Sequence, residues 1–524
     1  MLFNSYIFVF VFFPICLFGY YGLLHLQKPG AARVFLIAMS LWFYGYFNVS
    51  YLLIMVCSIC VNFLFHRVLS WEKAGEGENG LRKFAVFRKT VMILAVACNL
   101  GVLFYFKYFD FFLSTVNGAF GASFALRGIL LPLGISFFTF QQISFVVDTY
   151  RGEVKNCPPD TYALFVSFFP QLIAGPIVNH GEMLPQFEQA GEKKPDWERI
   201  AGGFALFVLG LAKKVLLADT FGAGVDYGYE NIAALGRADA ALVIIFYALQ
   251  LYFDFSGYCD MAVGIGRMLG IEIPENFNSP YKAVNIVDFW KRWHITLNRF
   301  FTKYVYIPLG GNRRGEGRMY GNLLLVFFLS GLWHGAGFHF LVWGMMHGLL
   351  YVATRFWQKR IRPVPADGAA KKEGEGKDSQ KTGAPAALGR RIMTVLSQTA
   401  TFLYVSVAWV YFRAADIGQA NSLLMAAFRG GRQKLSQGLA DCFRVDEFWY
   451  ILKVLHLDSL PASPYILMFV ILAAGIYFSM IGKNAAERTA RLRYRAGGAV
   501  ALTVLMVWCI LSFSKVSTFL YFNF

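Results

Sequence analysis

Long apolar runs recur along the whole chain, from YIFVFVFFPICLFGYYGLL near its start to AVALTVLMVWCILSF near its end. A helix needs about 20 apolar residues to cross the hydrocarbon core of a bilayer, and a chain that repeats such runs has few other ways to fold. Thirteen segments qualify: 5–26, 33–48, 50–69, 89–113, 128–148, 160–178, 200–219, 238–269, 320–333, 336–357, 392–412, 463–482 and 497–514. They do not resemble the short alternating segments of a membrane β-barrel, so they predict an all-α, polytopic membrane protein. Composition agrees, with 57% of 524 residues hydrophobic and 15% charged, where a soluble chain carries about 25% charged. The first run lacks a basic start and is too long for a signal-peptide core, so it is expected to stay as a membrane helix.

Two segments are unlike simple spans. Residues 128–148 contain Pro132 and Gly134, and 160–178 contain Pro170 and Gly175–Pro176. Proline interrupts a helix, and broken backbone at membrane depth persists only when protein or water shields it from lipid. Kinked or re-entrant elements beside a cavity are expected there.

The formal charge is +17. Most of the basic residues fall between apolar runs, in 70–89, 281–318, 358–391 and 483–495. That is the pattern of cytoplasmic loops, so lipid phosphate is the expected partner and nucleic acid is not. Residues 363–389 are rich in Gly, Ala, Lys and Pro, so 358–391 is expected to be a disordered cytoplasmic loop within one membrane domain spanning 1–524. Residues 415–460 resemble surface helices. Cys57 and Cys60 form a CxxC inside an apolar run and are expected to be buried thiols. No Walker loop, strand-borne GxGxxG or HExxH occurs, which argues against an ATP-driven pump and an intramembrane zinc protease.

Chemistry concentrates in three places. On a helical projection of 285–315, Ile286, Trp290, Trp293, Leu297, Phe300, Phe301 and Tyr304 share one face, and Asp288, Lys291, Arg292, Arg299 and Lys303 share the other. This predicts an amphipathic helix at the cytoplasmic interface, with His294 on the border of its apolar face. The turn GGNRR at its end can offer backbone amides, Asn312, Arg313 and Arg314 to a phosphorylated ligand. In 248–266, Gln250, Asp254 and Tyr258 recur at i, i+4, i+8 on one helix face. An intramembrane aspartate is costly and marks either a functional site or an interhelical hydrogen-bond network. The third place is SGLWHGAGFHFLVWGMMHG, residues 330–348. No two of His334, His339 and His347 share a helix face, so a helix-borne metal pair is disfavoured and no metal is expected. His339 and His347 read as structural. His334 is flanked by Gly331, Gly335 and Gly337, which predicts a loosened helix with room beside the ring. A neutral imidazole in such a place is suited to take a proton from a hydroxyl.

The runs QLYFDFSGYCDMAVGIGRMLG, VDFWKRWHITLNRFFTKYVYIPLGGNRRG and GLWHGAGFHFLVWGMMHG, with LLPLGISFFTFQQISFVVDTYRG and FPQLIAGPI, resemble the membrane-bound O-acyltransferases. The likeness is to their bacterial alginate O-acetyltransferase branch, which has relatives in peptidoglycan O-acetylation and D-alanyl transfer. It implies a ring of about 11–13 helices, some kinked or re-entrant, around a central cavity in the bacterial inner membrane. The family's two signature histidines fall on His294 and His334. The resemblance makes His334 the base and places His294 at the donor end of the channel.

The activity that the resemblance implies is O-acyl transfer across the membrane. A cytosolic acyl thioester, acetyl-CoA above all, is expected as co-substrate, with no bound cofactor. The acyl group is expected to reach an extracytoplasmic polysaccharide through a separate SGNH-type acyltransferase partner. Expected donor-site and channel residues are Trp290, Lys291, Arg292, Trp293, Arg299, Asn312, Arg313, Arg314, Asp254 and Tyr258. Two other classes stay open at this point: a transporter or flippase relaying protons through intramembrane His and Asp, and a passive scaffold for the partner.

Overall fold

The computed structural model describes residues 1–71, 78–189, 194–361, 384–431, 434–490, 496–515 and 519–520; among them there is no β-strand. The helices that position the site run α1 (Phe8–His25), α2 (Pro29–Gly45), α3 (Val49–Leu69), α4 (Arg82–Phe120), α5 (Ile135–Tyr150), α6 (Pro159–Ser167), α7 (Trp197–Glu230), α8 (Arg237–Met268), α9 (Ile286–Arg292), α10 (Ile295–Phe301), α11 (Glu316–His334), α12 (Phe338–Ile361), α13 (Ala384–Arg413), α14 (Ser463–Ile481) and α15 (Ala496–Leu511). Seven described helices are long and apolar enough to cross a membrane: α1, α3, α4, α7, α8, α14 and the Leu388–Arg413 part of α13. The protein is a polytopic, all-α membrane protein.

Burial sorts these helices into an inside and an outside. The apolar stretch of α8 is 83% buried within the protein, against 22% for α3 and 17% for α4. Thus α8 is a central pillar, whereas α3 and α4 turn apolar side chains outward, as a lipid-facing wall requires. Cys57 and Cys60, expected to be buried, are exposed on α3; an apolar flank in a membrane helix marks lipid contact as readily as core. Helix α7 lies against α8 at glycine contacts: a Cβ on Gly210 would sit 2.6 Å from the Gly257 carbonyl oxygen. Such small-residue seams let membrane helices approach closely where no hydrophobic drive exists between them.

The proline-bearing segments are interior and broken. Helix α5 starts only at Ile135, after Gly134 with φ +72°, and all but two of its residues are buried. Helix α6 stops at Ser167, a single turn comes next over Phe169–Leu172, and the buried chain of 173–178 has left the helix.

Two expectations need correction. The amphipathic helix over 285–315 is not continuous: α9 ends at Arg292, Trp293 is extended, and His294 adopts φ +47° before α10 begins. The loop assigned to 358–391 is shorter, because α12 runs to Ile361 and α13 starts at Ala384; residues 362–383 lie outside the described residues. Within 415–460, helices Ile417–Arg429, Gln437–Asp441 and Asp446–Val454 form as anticipated.

Candidate active site

The break between α9 and α10 carries His294 into the protein. A non-glycine residue with positive φ is strained and needs support from its surroundings. Asn276 supplies it. Its main-chain carbonyl accepts from Ile295 N at 3.0 Å, and its side-chain oxygen accepts from Thr296 N (3.2 Å) and Thr296 Oγ1 (3.0 Å). The same oxygen lies 3.3 Å from His294 Nδ1. Since the Thr296 main-chain N–H can only donate, the amide oxygen is the atom at this junction, so a neutral His294 donates from Nδ1 and keeps Nε2 as its acceptor nitrogen. The ring is fully buried, edge-on to Phe255 at 4.9 Å.

His334 arrives from the other direction as the last residue of α11. Gly335 is extended (φ −166°, ψ 156°), the chain turns, and α12 starts at Phe338. The glycines here do not make room, contrary to expectation. A Cβ on Gly331 would lie 2.5 Å from the Phe340 carbonyl oxygen, and one on Gly344 would lie 2.5 Å from that of Phe327. They let α11 and α12 pack backbone to backbone, and this fixes where His334 ends. Its imidazole is buried among Trp333, Trp343 and Phe412, with ring centroids at 4.8, 5.0 and 5.1 Å. The His294 ring is 6.3 Å away. Two imidazoles far apart in sequence thus share one aromatic chamber.

Ile295, the residue after His294, is one of the walls of a cavity of about 440 Å³ that is also lined by Val287, Trp290, Lys291, Asn298, Arg299, Lys303, Phe327 and Tyr351, and neither histidine lines it. Its floor is apolar and its rim cationic. Arg299 is held by Glu182 in a bidentate pair (2.7 and 2.9 Å), and Lys303 bridges Asp148 (3.0 Å) and Glu153 (2.7 Å). Lys291 forms no ion pair among the described residues. Arg292 turns instead to Asp288 at 2.8 Å. Trp293 packs away from the cavity, against Trp409 at 4.9 Å. The turn after α10 places Asn312, Arg313 and Arg314 on the exposed surface, with Gly310 and Gly311 at positive φ. A Cβ on Gly310 would meet the Arg314 side chain at 2.9 Å, so the glycine lets that side chain fold back over the turn.

Other sequence candidates sit elsewhere. Asp254 is locked in a buried ion pair with Lys214 (2.7 Å) and accepts from Leu520 N (3.0 Å). Tyr258 stacks on Phe3 at 4.8 Å and meets Phe519 edge-on at 4.8 Å. Both belong to a separate cluster on α8. His347 is enclosed by Trp290, Trp343 and Trp409, at 5.2, 5.1 and 5.8 Å. His339 Nδ1 lies 2.9 Å from the Tyr411 carbonyl, which can only accept, so the ring donates there and ties α12 to α13. Asp148, Glu153 and His180 bring three ligand-type atoms within 4.8 Å of one another, but the Lys303 ammonium bonds both carboxylates.

Sequence reasoning missed Asn276, which reads as an ordinary polar residue in a loop. It also missed Lys107, a cation inside the 39-residue apolar helix α4. A charge at that depth is a functional candidate by default, and that signal stands in the sequence.

A model of the membrane-bound O-acyltransferase family matches residues 36–373. The chain is 35% identical to a peptidoglycan O-acetyltransferase of Helicobacter pylori, the alignment covering 100% of this chain and 98% of that one. It is 36% identical to a probable alginate O-acetylase AlgI of Pseudomonas aeruginosa, over 83% of this chain and 76% of that one. A teichoic acid D-alanyltransferase of Bacillus subtilis is 28% identical over 45% of this chain and 62% of its own. The chain belongs to the membrane-bound O-acyltransferase family, and it is an acyltransferase that uses an acyl-donor co-substrate. The transporter and scaffold alternatives fall with that membership.

Proposed function

From this membership we propose that the protein transfers an acetyl group from cytosolic acetyl-CoA across the bacterial inner membrane toward a cell-envelope polysaccharide, with His334 as general base. A single observation carries the reading: His294 and His334 are both buried with ring centroids 6.3 Å apart, and the cation-rimmed cavity starts at Ile295, the residue after His294. Peptidoglycan is the favoured acceptor, because the peptidoglycan O-acetyltransferase aligns over 98% of its own length and the alginate relative over 76%.

In this mechanism the cavity takes the acyl arm of the donor. Lys291 and, beyond the rim, Arg313 and Arg314 offset the charge of its phosphates, while Trp290 packs against the apolar part of the arm. His334 removes the proton of an acceptor hydroxyl, and the freed oxygen attacks the thioester carbonyl. The C–O bond forms, the C–S bond breaks, and the His334 imidazolium returns its proton to the departing thiolate. His294, with Nε2 unprotonated, accepts a hydrogen bond from an amide N–H of the donor arm. That is a different role from oxyanion donor, which a neutral ring in this tautomer cannot fill. A separate SGNH-type acyltransferase outside the membrane receives the acetyl group and esterifies the glycan. One uninterrupted domain, 1–524, carries the membrane step.

The test is His334→Ala in inverted membrane vesicles of the native host, supplied with radiolabelled acetyl-CoA, with protein level checked by blot. Loss of labelled glycan is expected; undiminished labelling would remove His334 from the mechanism.

A further inference from the structure

A helix leaves its last four carbonyls without intrahelical partners, and a buried helix end must find donors for them. In α11 the chain leaves the helix at once, since Gly335 is extended and leads straight into the turn. The donors come from α4, more than 220 residues earlier. Tyr108 Oη donates to the Leu332 carbonyl at 2.8 Å. Lys107 Nζ donates to the carbonyls of Trp333 and, at 3.2 Å, His334. It also reaches Ser136 Oγ at 3.4 Å, on the first turn of α5. Both donors sit in a π-helical turn, Phe104–Tyr108. Such turns alter the register of a helix and recur at functional sites; here it aims two successive side chains at one target.

The chemistry matches an ammonium group. Lys107 has three N–H donors and three oxygen acceptors around it. It caps the negative end of α11 and lies 5.8 Å from the centroid of the Trp333 ring. An amide or hydroxyl would satisfy the carbonyls without balancing the helix end.

We infer that Lys107 is a positioning residue for acyl transfer: its ammonium clamps the C-terminus of α11 to α4 and α5 and so holds the His334 imidazole at its working distance from His294. This rests on the assignment of His334 as base. Displacement of a catalytic group by about 1 Å lowers turnover roughly 100-fold even when substrate still binds. Lys107 touches the main chain of the helix that carries His334 and lines no part of the donor cavity, so its loss should fall on turnover.

Lys107→Met, Lys107→Arg and His334→Ala are assayed in inverted membrane vesicles of the native host with acetyl-CoA as donor, alongside the thermal stability of the extracted chain. The Met variant is expected to lose roughly 100-fold in maximal rate with its apparent KM for acetyl-CoA within about twofold of wild type. Lys107→Arg, which keeps the charge and donors, is expected to recover at least about a tenth of the wild-type rate. A wild-type maximal rate in Lys107→Met, a loss confined to KM, or an Arg variant no better than Met overturns the inference. If Lys107→Met does not accumulate, Lys107→Gln carries the same comparison against Arg, because it caps the carbonyls without charge. Activity in His334→Ala would defeat the parent reading; a silent His334→Ala beside a fully active Lys107→Met would defeat only the role of Lys107.

Discussion

The side-chain oxygen of Asn276 lies 3.3 Å from His294 Nδ1, and the same oxygen holds both the amide and hydroxyl of Thr296. One loop amide therefore supports the strained backbone of a candidate-site histidine and sets the tautomer of its ring. Asn276→Ala should free the Thr296 donors and release His294 from its left-handed conformation. Leaving buried donors unmatched costs about 1–3 kcal/mol apiece, so a lowered melting temperature is expected together with loss of acetyl transfer. Asn276→Asp, which keeps the acceptor oxygen, should retain more activity than Ala. Equal activity in wild type and Asn276→Ala would show that His294 needs no such support.

The rim of the cavity separates cations already paired from one that is not. Arg299 and Lys303 each have carboxylate partners, whereas Lys291 lines the cavity without one among the described residues. Lys291→Glu should raise the apparent KM for acetyl-CoA about tenfold, the size of a charge-assisted phosphate contact, and leave maximal rate nearly unchanged. Substituting Arg313 and Arg314 together by Ala should raise KM less, since both side chains are exposed beyond the cavity. Steady-state kinetics against donor concentration, repeated at higher salt, checks the order.

How far each feature is legible in the sequence depends on whether its cause is local. The two histidines stand out because they lie in specific local motifs, and the polytopic fold needs run length alone. The break at Trp293–His294 is hidden, because the amphipathic period continues across it and positive φ at a histidine has no compositional marker. On a single-helix projection Gly331 and Gly335 look like loosening of the helix. Their actual work is close packing of α11 on α12 and termination at Gly335, which depends on a partner helix that the projection omits. Lys107 is masked by the apolar run around it, and its partners lie on α11 and α5.

Close packing at the α11–α12 hairpin makes a steric prediction. Gly331→Ala would set a methyl 2.5 Å from the Phe340 carbonyl oxygen, a rigid main-chain atom that cannot swing aside. Overpacking of this kind costs about 1–3 kcal/mol, and separation of the helices would also displace His334. A fall in melting temperature with a larger fall in acetyl transfer is expected. Gly321→Ala on the same helix, where a Cβ meets nothing within 4 Å, should be silent in both measurements.

At the C-terminal end of α5, buried Asp148 accepts from Tyr304 Oη (2.6 Å) and Lys303 Nζ (3.0 Å), with His180 Nδ1 at 3.1 Å. This carboxylate ties α5 to the π turn after α10. Asp148→Ala removes the acceptor shared by Tyr304, Lys303 and His180 while Lys303 keeps Glu153 at 2.7 Å, a loss of about 1–3 kcal/mol. Thermal unfolding of the detergent-extracted chain should drop accordingly, and a stability within experimental error of wild type would mean that Tyr304 and Lys303 are held by other contacts.

Asp254 is the sharpest separation of a structural charge from a chemical one. The sequence allows two readings, active-site carboxylate or interhelical tie, and Lys214 at 2.7 Å supplies the physical content of the second. Both side chains are buried, and Lys214 also reaches Asp219 at 2.8 Å. Removing one member of such a pair strands the other charge, at about 3–5 kcal/mol, whereas removing both is often close to neutral. Lys214→Met should therefore destabilise strongly, and Lys214→Met with Asp254→Asn should recover part of the loss; a double-mutant cycle in thermal stability measures the coupling. The double variant should also transfer acetyl groups at a rate near wild type once corrected for folded protein. Full stability with abolished transfer would instead place Asp254 in the chemistry.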